Sequence, residues 1–180
     1  MAESKRAMNE RIRFLRGLRA VRDYTAEPVP DEALSDILEV GRWTGSASNR
    51  QPIEVVVVRD RSILEQIAGS GVQPASGAAL AIVVLTPDDP SRAEVNAFDT
   101  GRVVERVLLA AHAHGLGGNI GTLKGDGIAT IKEALGVPDS LKPWAVVTLG
   151  ATDELARKAR PKNANPGRKP LDDFAHIDRY

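Results

Sequence analysis

Three short apolar runs most constrain what this chain can fold into. They are IEVVVV at 53–58, LAIVVLT at 80–86 and WAVVTLG at 144–150. Because apolar residues hardly alternate with polar ones in the first two runs, the pattern is typical of strands that are buried on both faces. The sequence therefore predicts a sheet of few strands that lies between other layers of structure.

Helical periodicity fills the segments between these runs. In residues 31–42, Leu34, Ile37, Leu38 and Gly41 follow the i, i+3, i+4, i+7 spacing of one helix face. Further helices are predicted over 4–17, 61–69, 93–115 and 129–136. Because helices alternate with few strands, the expected fold is an α+β sandwich in which helices cover both faces of a central sheet.

The end of the chain differs from the rest. A length of 180 residues favours a single domain, 1–180. After Ala151 the sequence is polar and basic and shows no periodicity, which is uncommon for a segment of this length inside a compact domain. We expect residues 151–180 to form an extended C-terminal arm that lies over another surface, for example a second copy of the chain. Its basic side chains are expected to be solvated, and they are Arg157, Lys158, Arg160 and Lys162.

Composition excludes several classes of function. The 24 Lys and Arg residues balance 24 Asp and Glu residues, so no general attraction to nucleic acid or to an anionic membrane is expected, although a local basic patch is compatible with this balance. Because cysteine is absent, disulfides, thiolate catalysis and cysteine-ligated metal centres are excluded. The first residues lack the apolar core of a secretory signal, and no apolar run approaches roughly 20 residues. The expectation is a cytoplasmic protein that spans no membrane.

Four separate segments are rich in polar or flexible residues. They are LRAVRDY at 18–24, GSASNRQP at 45–52, GLGGNIGT at 115–122 and PGRKPL at 166–171. Taken singly, the first three have structural interpretations: solvated arginines, a turn, and a glycine-rich helix end. The glycine segment is not a dinucleotide fingerprint, because it follows a predicted helix rather than a strand.

The order and spacing of these segments resemble the nitroreductase family of FMN-dependent oxidoreductases, from about Arg16 to Tyr180. LRAVR is similar to an arginine-rich R-R-S-x-R segment, and GSASNRQPI to a loop of the form P-S-x-x-N-x-Q-P-W. A G-L-G cluster follows a long helix, and the chain closes on RKPLDDFAHIDRY, similar to an R-x-P-L segment with a histidine–aromatic ending.

The resemblance implies a fold, an assembly and an activity. The implied fold is a three-layer sandwich with a central mixed or antiparallel sheet, in an intertwined homodimer with two flavins at the subunit interface. The implied activity is hydride transfer from NADH or NADPH, through N5 of bound FMN, to an electron-poor small-molecule acceptor such as a nitroaromatic or a quinone. The cofactor carries this chemistry, so no catalytic side chain and no metal is expected.

The resemblance also implies which residues bind FMN. Arg19, Arg22 and Arg168 are the candidates for the phosphate, because arginine binds phosphate with a planar, charged fork; Arg22 can instead lie near the pyrimidine edge. Hydrogen-bonding groups for the phosphate, ribityl chain or ring edge are expected from Ser46, Asn49 and Gln51. The loop beside N5 is expected to be Gly118, Asn119 and Ile120, and Ala20 lies in the first segment.

Four positions depart from the family pattern. Leu18 stands where many members have the first arginine, Ala20 replaces a serine, Gly45 a proline and Ile53 a tryptophan. These departures leave other hypotheses open. They are a flavin- or nucleotide-binding protein without turnover, a scaffold that binds no cofactor, and a specialised flavin or deazaflavin dehydrogenase. Metal binding by His112 and His114 is not expected, since residues two apart do not share a helix face, and His176 is expected to have a structural role.

Overall fold

The computed structural model describes residues 9–161 and 167–180, and its centre is a four-stranded sheet. The strands are β1 (Glu54–Val58), β2 (Leu80–Pro87), β3 (Gly117–Thr122) and β4 (Leu141–Gly150). Their order across the sheet is β1-β2-β4-β3, and every pair of neighbours is antiparallel. The two central strands, β2 and β4, are the longest, with 8 and 10 residues.

Seven α-helices surround this sheet in the described part of the chain. They are α1 (Glu10–Gly17), α2 (Asp31–Arg42), α3 (Arg61–Gly69), α4 (Ala93–Ala113), α5 (Asp126–Ala134), α6 (Glu154–Ala159) and α7 (Leu171–Phe174). Residues 31–42 and 61–69 match their predicted helices at both ends. The start of α3 is fixed by Asp60, whose Oδ1 accepts hydrogen bonds from the Ser62 and Ile63 amides at 2.8 and 3.1 Å. Residues 4–8 of the first predicted helix lie outside the described residues.

The sheet separates two apolar cores. Alternate residues of β2 point to opposite faces, so Leu80, Ile82 and Val84 pack with α2 and α4. Their neighbours on the other face belong to the core formed with α3 and α5. The longest helix, α4, contributes Val103, Val104, Val107, Leu108 and Ala111 to the first core. The predicted three-layer α+β sandwich is confirmed, and its sheet is antiparallel.

The strand β1 differs from its prediction. The run 53–58 was expected to be buried on both faces, but Glu54 and Val55 are exposed and Val56 and Val57 are only half-buried. The reason is its position, because β1 lies at the sheet edge and pairs with β2 alone. An unbroken valine run identifies a strand but does not distinguish a central strand from an edge strand.

Two further predictions need correction. The segment 115–122 was expected to be a helix end and a turn. Gly115 follows the end of α4 in a left-handed turn, as expected, but Gly117–Thr122 forms β3 and pairs with β4. The arm was expected to lack secondary structure, yet it contains α6 and the single-turn α7. Asp153 caps the start of α6, because its carboxylate accepts hydrogen bonds from the Leu155 and Ala156 amides. None of the helices within residues 9–161 and 167–180 is long and apolar enough to cross a membrane.

Candidate functional site

A cavity of about 730 Å³ opens where the segment before Arg22, the strand β3 and the C-terminal arm meet; we call it the cationic cavity. Four arginines line it: Arg16, Arg19, Arg22 and Arg168. Glu105 is the one carboxylate among its described lining residues. The cavity therefore suits a ligand with a compact negative charge, since guanidinium groups bind phosphates and carboxylates through paired N–H donors.

Backbone pairing places the arginine segment beside β3. Ala20 forms a parallel bridge with Gly118, and the Val21 amide donates to the Gly118 carbonyl oxygen at 2.7 Å. The side chain of Val21 is buried, so its neighbour Arg22 remains exposed at the cavity. The pairing joins residues about 100 positions apart, and the arm adds Arg168 to the same cavity. Seven of the ten predicted site residues therefore line this cavity, namely Arg19, Ala20, Arg22, Gly118, Asn119, Ile120 and Arg168.

The glycines of β3 serve packing. A Cβ on Gly117 would lie 2.7 Å from Val21 Cγ1 and 2.7 Å from Thr152 Oγ1. A Cβ on Gly118 would lie 2.5 Å from Leu108 Cδ2. All three distances are far shorter than a van der Waals contact. The missing side chains of these glycines therefore let the arginine segment and α4 approach the strand. The sequence hypothesis attributed Gly118 to close approach of a ligand, whereas here its missing side chain faces the apolar core.

Tyr24 ties the arginine segment to the sheet. Its hydroxyl donates to the Val21 carbonyl oxygen at 2.6 Å and lies 2.8 Å from Thr148 Oγ1. Thr148 is fully buried on β4, and its hydroxyl contacts the Asn119 carbonyl oxygen at 3.5 Å. The tyrosine ring covers Gly150, where a Cβ would lie 3.0 Å from Cδ1. The side chains of Tyr24 and Thr148 thus link the backbone next to Arg22 with the backbone at Asn119.

We expect the protein to lose stability in alkali through Tyr24. Burial raises the pKa of Tyr24 to about 12, although its hydrogen bond with Thr148 opposes the rise. Because the folded pKa lies above the unfolded value of about 10, the neutral phenol stabilises the fold fully below pH 10, and this is lost as pH rises through 12. The free energy of unfolding should fall by at most roughly 3 kcal/mol over this range. Urea unfolding between pH 9 and 12 measures it, and the slope due to Tyr24 should be absent in Tyr24→Phe.

A second cavity adjoins the first on the other side of Asn119 and Ile120. We call it the polar cavity; its volume is about 630 Å³, and it shares Arg22, Asn119 and Ile120 with the cationic cavity. It is also lined by Gln73, Asp23 and Arg160. Sequence reasoning missed these three residues, because no local pattern marks a cavity that is assembled from four separate segments.

The loop GSASNRQP lies elsewhere in the chain. Ser46 and Gln51 line an apolar cavity of about 390 Å³ between α2, α4 and the edge strand β1. Asn49 is among the lining residues of neither this cavity nor the cationic one. Ser48, Asn49 and Gln51 all have φ near +50°, a left-handed conformation that is uncommon outside glycine. A single chain therefore does not bring the loop to the cationic cavity.

A buried carboxylate holds this loop against α4. Asp99 is 2% exposed, and its Oδ2 accepts a hydrogen bond from the Ala47 amide at 3.3 Å. Arg102 lies 3.8 Å from the other carboxylate oxygen. Its guanidinium also covers Gly45, since a Cβ at that position would lie 3.2 Å from Nη2. The glycine at position 45, where the family pattern has a proline, thus leaves room for Arg102. The leucine at position 18, where many members have an arginine, packs against the core formed with α2 and α4.

The histidines lie in ordinary structural contacts. His112 stacks on Phe14 with ring centroids 4.9 Å apart, and His114 Nε2 lies 3.0 Å from Asp36 Oδ2. His176 packs against Tyr180 near the end of the arm, with the two rings tilted by 49°. In the part of the chain that the structure describes, no three His, Asp or Glu residues are grouped as metal ligands.

Comparison with known proteins agrees with this architecture. Residues 15–151 match the model of the nitroreductase family. The chain is 30% identical over 149 residues to a protein of Archaeoglobus fulgidus provisionally named an NADH dehydrogenase/NAD(P)H nitroreductase, covering 79% of this chain and 86% of that protein. It is 30% identical over 177 residues to the FMN reductase (NAD(P)H) of Bacillus subtilis, covering 85% and 70%. Nitroreductase A from Vibrio parahaemolyticus superposes with a TM-score of 0.81 at 26% identity, covering 97% and 77%.

The fold and the cavity beside β3 define a class of protein, an α+β sandwich with a cationic pocket at its edge strand. The chain belongs to the nitroreductase family, as the resemblance in the sequence implied.

Proposed function

We propose that the protein is an FMN-dependent oxidoreductase that takes hydride from NADH or NADPH and reduces an electron-poor small molecule. The observation that carries this is the cluster of Arg19, Arg22 and Arg168 at one cavity beside β3. The names of the relatives support it, since one is an FMN reductase that uses NAD(P)H. A nitroaromatic or a quinone is the acceptor class that the resemblance favours.

The residues present fit FMN. Its phosphate is nearly a dianion at neutral pH, and the cationic cavity offers several guanidinium groups against a single carboxylate. Arg19 uses Nη1 for the Arg16 and Leu18 carbonyl oxygens, and Arg168 uses Nη1 for the Gly167 carbonyl oxygen. Because a guanidinium carries five N–H donors, each retains donors for an anion. Arg19 and Arg168 would hold the phosphate, and Arg22, which borders both cavities, would lie toward the pyrimidine edge.

The chemistry that FMN supplies when bound is two-step hydride transfer through N5, in which two electrons and a proton pass from the nicotinamide and then to the acceptor. The protein's part is orientation and electrostatics. Asn119 and Ile120 would form the strand edge beside the reactive ring, and Arg22 would stabilise negative charge on the reduced ring. Ile120 is 46% exposed, so its side chain can border the space where the acceptor stacks.

We propose further that the functional unit is a homodimer. The loop with Ser46, Asn49 and Gln51 lies across α4 from the cationic cavity, so these groups would reach a flavin only in a second copy. Large apolar side chains support an interface: Trp43 is 69% exposed and Phe98 70%. The arm presents a further apolar set, Leu171, Phe174 and Ile177, which contributes to neither core of its own chain. A chain of this composition rarely leaves such a surface in water.

An absorbance spectrum before and after anaerobic NADPH tests the proposal. The purified protein, or the protein reconstituted with FMN, is expected to be yellow, and NADPH or NADH should bleach it within seconds. Addition of a quinone should restore the colour. Protein that retains no FMN after reconstitution would contradict the proposal. Protein that binds FMN but is not bleached by either nicotinamide would instead be a flavin-binding protein without turnover.

A further inference from the structure

The polar cavity contains an ion pair that joins the arm to the arginine segment. Arg160, the residue that follows α6, donates to both carboxylate oxygens of Asp23, with Nη2 2.8 Å from Oδ1. The Arg160 side chain is half exposed, as expected for the arm, but its ion pair was not predicted from the sequence. The Asp23 side chain is only 18% exposed, and the Asp23 carbonyl oxygen accepts from the Asp153 amide at 2.9 Å. The pair is thus fixed in place at the start of the arm.

The charges of the polar cavity balance in pairs. Among its described lining residues, Arg22 and Arg160 are cationic, and Asp23 and Asp153 are anionic. Asp153 is engaged as the cap of α6 through the Leu155 and Ala156 amides. The hydrogen bonds from Arg160 lower the pKa of Asp23 against the opposing effect of burial, so Asp23 is a carboxylate at neutral pH. Without Arg160, the negative charge of Asp23 would offset the positive charge of its neighbour Arg22.

We propose that Arg160 sets the reduction potential of the bound flavin by neutralising Asp23 at the pyrimidine end of the site. The proposal rests on the proposed function, because it requires that the flavin ring lies along Asn119 and Ile120, which border both cavities. A reduced flavin is anionic at its pyrimidine edge, so a positive charge there raises the potential and a negative charge lowers it. Arg160 pairs with Asp23 and Asp153 is engaged at the start of α6, so the charge of Arg22 is left to face the ring. Arg160 is a positioning and charge-compensating residue, and it takes no part in hydride transfer.

Two single variants and their double variant distinguish an effect of charge on the midpoint potential from an effect of altered structure. Arg160→Gln is expected to lower the midpoint potential, because it exposes the charge of Asp23 to the ring. Asp23→Asn is expected to raise it, because Arg22 and Arg160 then act without a counter-charge. The double variant, which removes one charge of each sign, should return close to the wild-type potential. Each single change should alter the ratio of oxidised to reduced FMN affinity about tenfold, or about 30 mV for a two-electron couple.

A matched control lies on α6. Arg157 forms an ion pair with Glu154 at 2.7 Å and is not among the residues that line the polar cavity. Arg157→Gln therefore removes the same charge three residues before Arg160 and should leave the potential unchanged. If Arg160 merely anchored the arm, both single variants would loosen the site, and their potentials would shift in one direction without recovery in the double variant.

The experiment is a reductive titration of the FMN-loaded full chain against a reference dye, with FMN affinity measured by fluorescence in parallel. Opposite shifts for the two single variants, with recovery in the double variant, support the proposal. Unchanged potentials, or shifts of the same sign, overturn it. Failure of the wild-type chain to bind FMN would instead overturn the proposed function, so the two failures are distinguishable.

Discussion

Replacing Gly117 with alanine is expected to both destabilise the protein and weaken FMN binding at least tenfold. The new Cβ would lie 2.7 Å from Val21 Cγ1 and from Thr152 Oγ1, so the arginine segment or the start of the arm has to move. Overpacking of this kind costs roughly 1–3 kcal/mol. Because Val21 pairs with Gly118 and precedes Arg22, the displacement reaches the cationic cavity directly. Urea unfolding and FMN titration measure the two effects.

Gly69→Ala is the matched control. Gly69 ends α3, its φ is not in the left-handed region, and nothing lies within 4 Å of its Cβ position. Alanine there is expected to leave FMN binding unchanged and to be neutral or stabilising by up to about 1 kcal/mol. The packing explanation fails if Gly117→Ala is as stable as the wild-type chain and binds FMN as tightly.

Replacing Arg168 with alanine is expected to raise the dissociation constant for FMN about 10- to 100-fold. A hydrogen bond to a charged group contributes roughly 1.5–3 kcal/mol, and 1.4 kcal/mol corresponds to a factor of ten. Arg168→Lys retains the charge but not the planar fork, so its affinity should lie between those of the wild type and the alanine variant. Quenching of FMN fluorescence during titration gives the dissociation constants directly.

The control for this series is Arg179→Ala. Arg179 lies on the same arm but is not among the residues that line the cationic cavity. Its removal changes the net charge by the same amount and should leave the dissociation constant unchanged. Sedimentation of each variant shows whether the assembly is the same as in the wild-type chain. An Arg168→Ala protein that binds FMN as tightly as Arg179→Ala would remove Arg168 from the proposed site.

The parts of the fold that were predictable are those with local patterns. Helix α2 is predicted by the spacing of its apolar residues. The strand β2 is predicted by an apolar run that extends along nearly its whole length. The strand β3 has no such pattern, because its sequence GGNIGT is selected by what packs against it. Gly117 is required by Val21, which lies about 100 positions earlier in the sequence, and Gly118 by Leu108 on the preceding helix α4. Local glycine content therefore indicated a turn where close packing requires a strand.

The candidate site also has a part that the sequence indicated and a part that it did not. Arginines and small polar residues are visible in a sequence, so Arg19, Arg22 and Arg168 were identifiable by resemblance, and one chain places them together. The ion pair of Asp23 and Arg160 spans 137 positions and belongs to a segment that has no distinctive composition. Such a pair becomes visible only when the arm is folded against the arginine segment.

The bridge between Ala20 and Gly118 affects the order in which the protein folds and takes up its cofactor. Contacts between residues so far apart close a large loop of chain, so they are expected to form late on the folding pathway, after the helices and the strand pairs β1–β2 and β3–β4. The cationic cavity does not exist before that closure. Uptake of the yellow cofactor by refolding protein would therefore report completion of folding, and it should lag behind the recovery of helical circular dichroism.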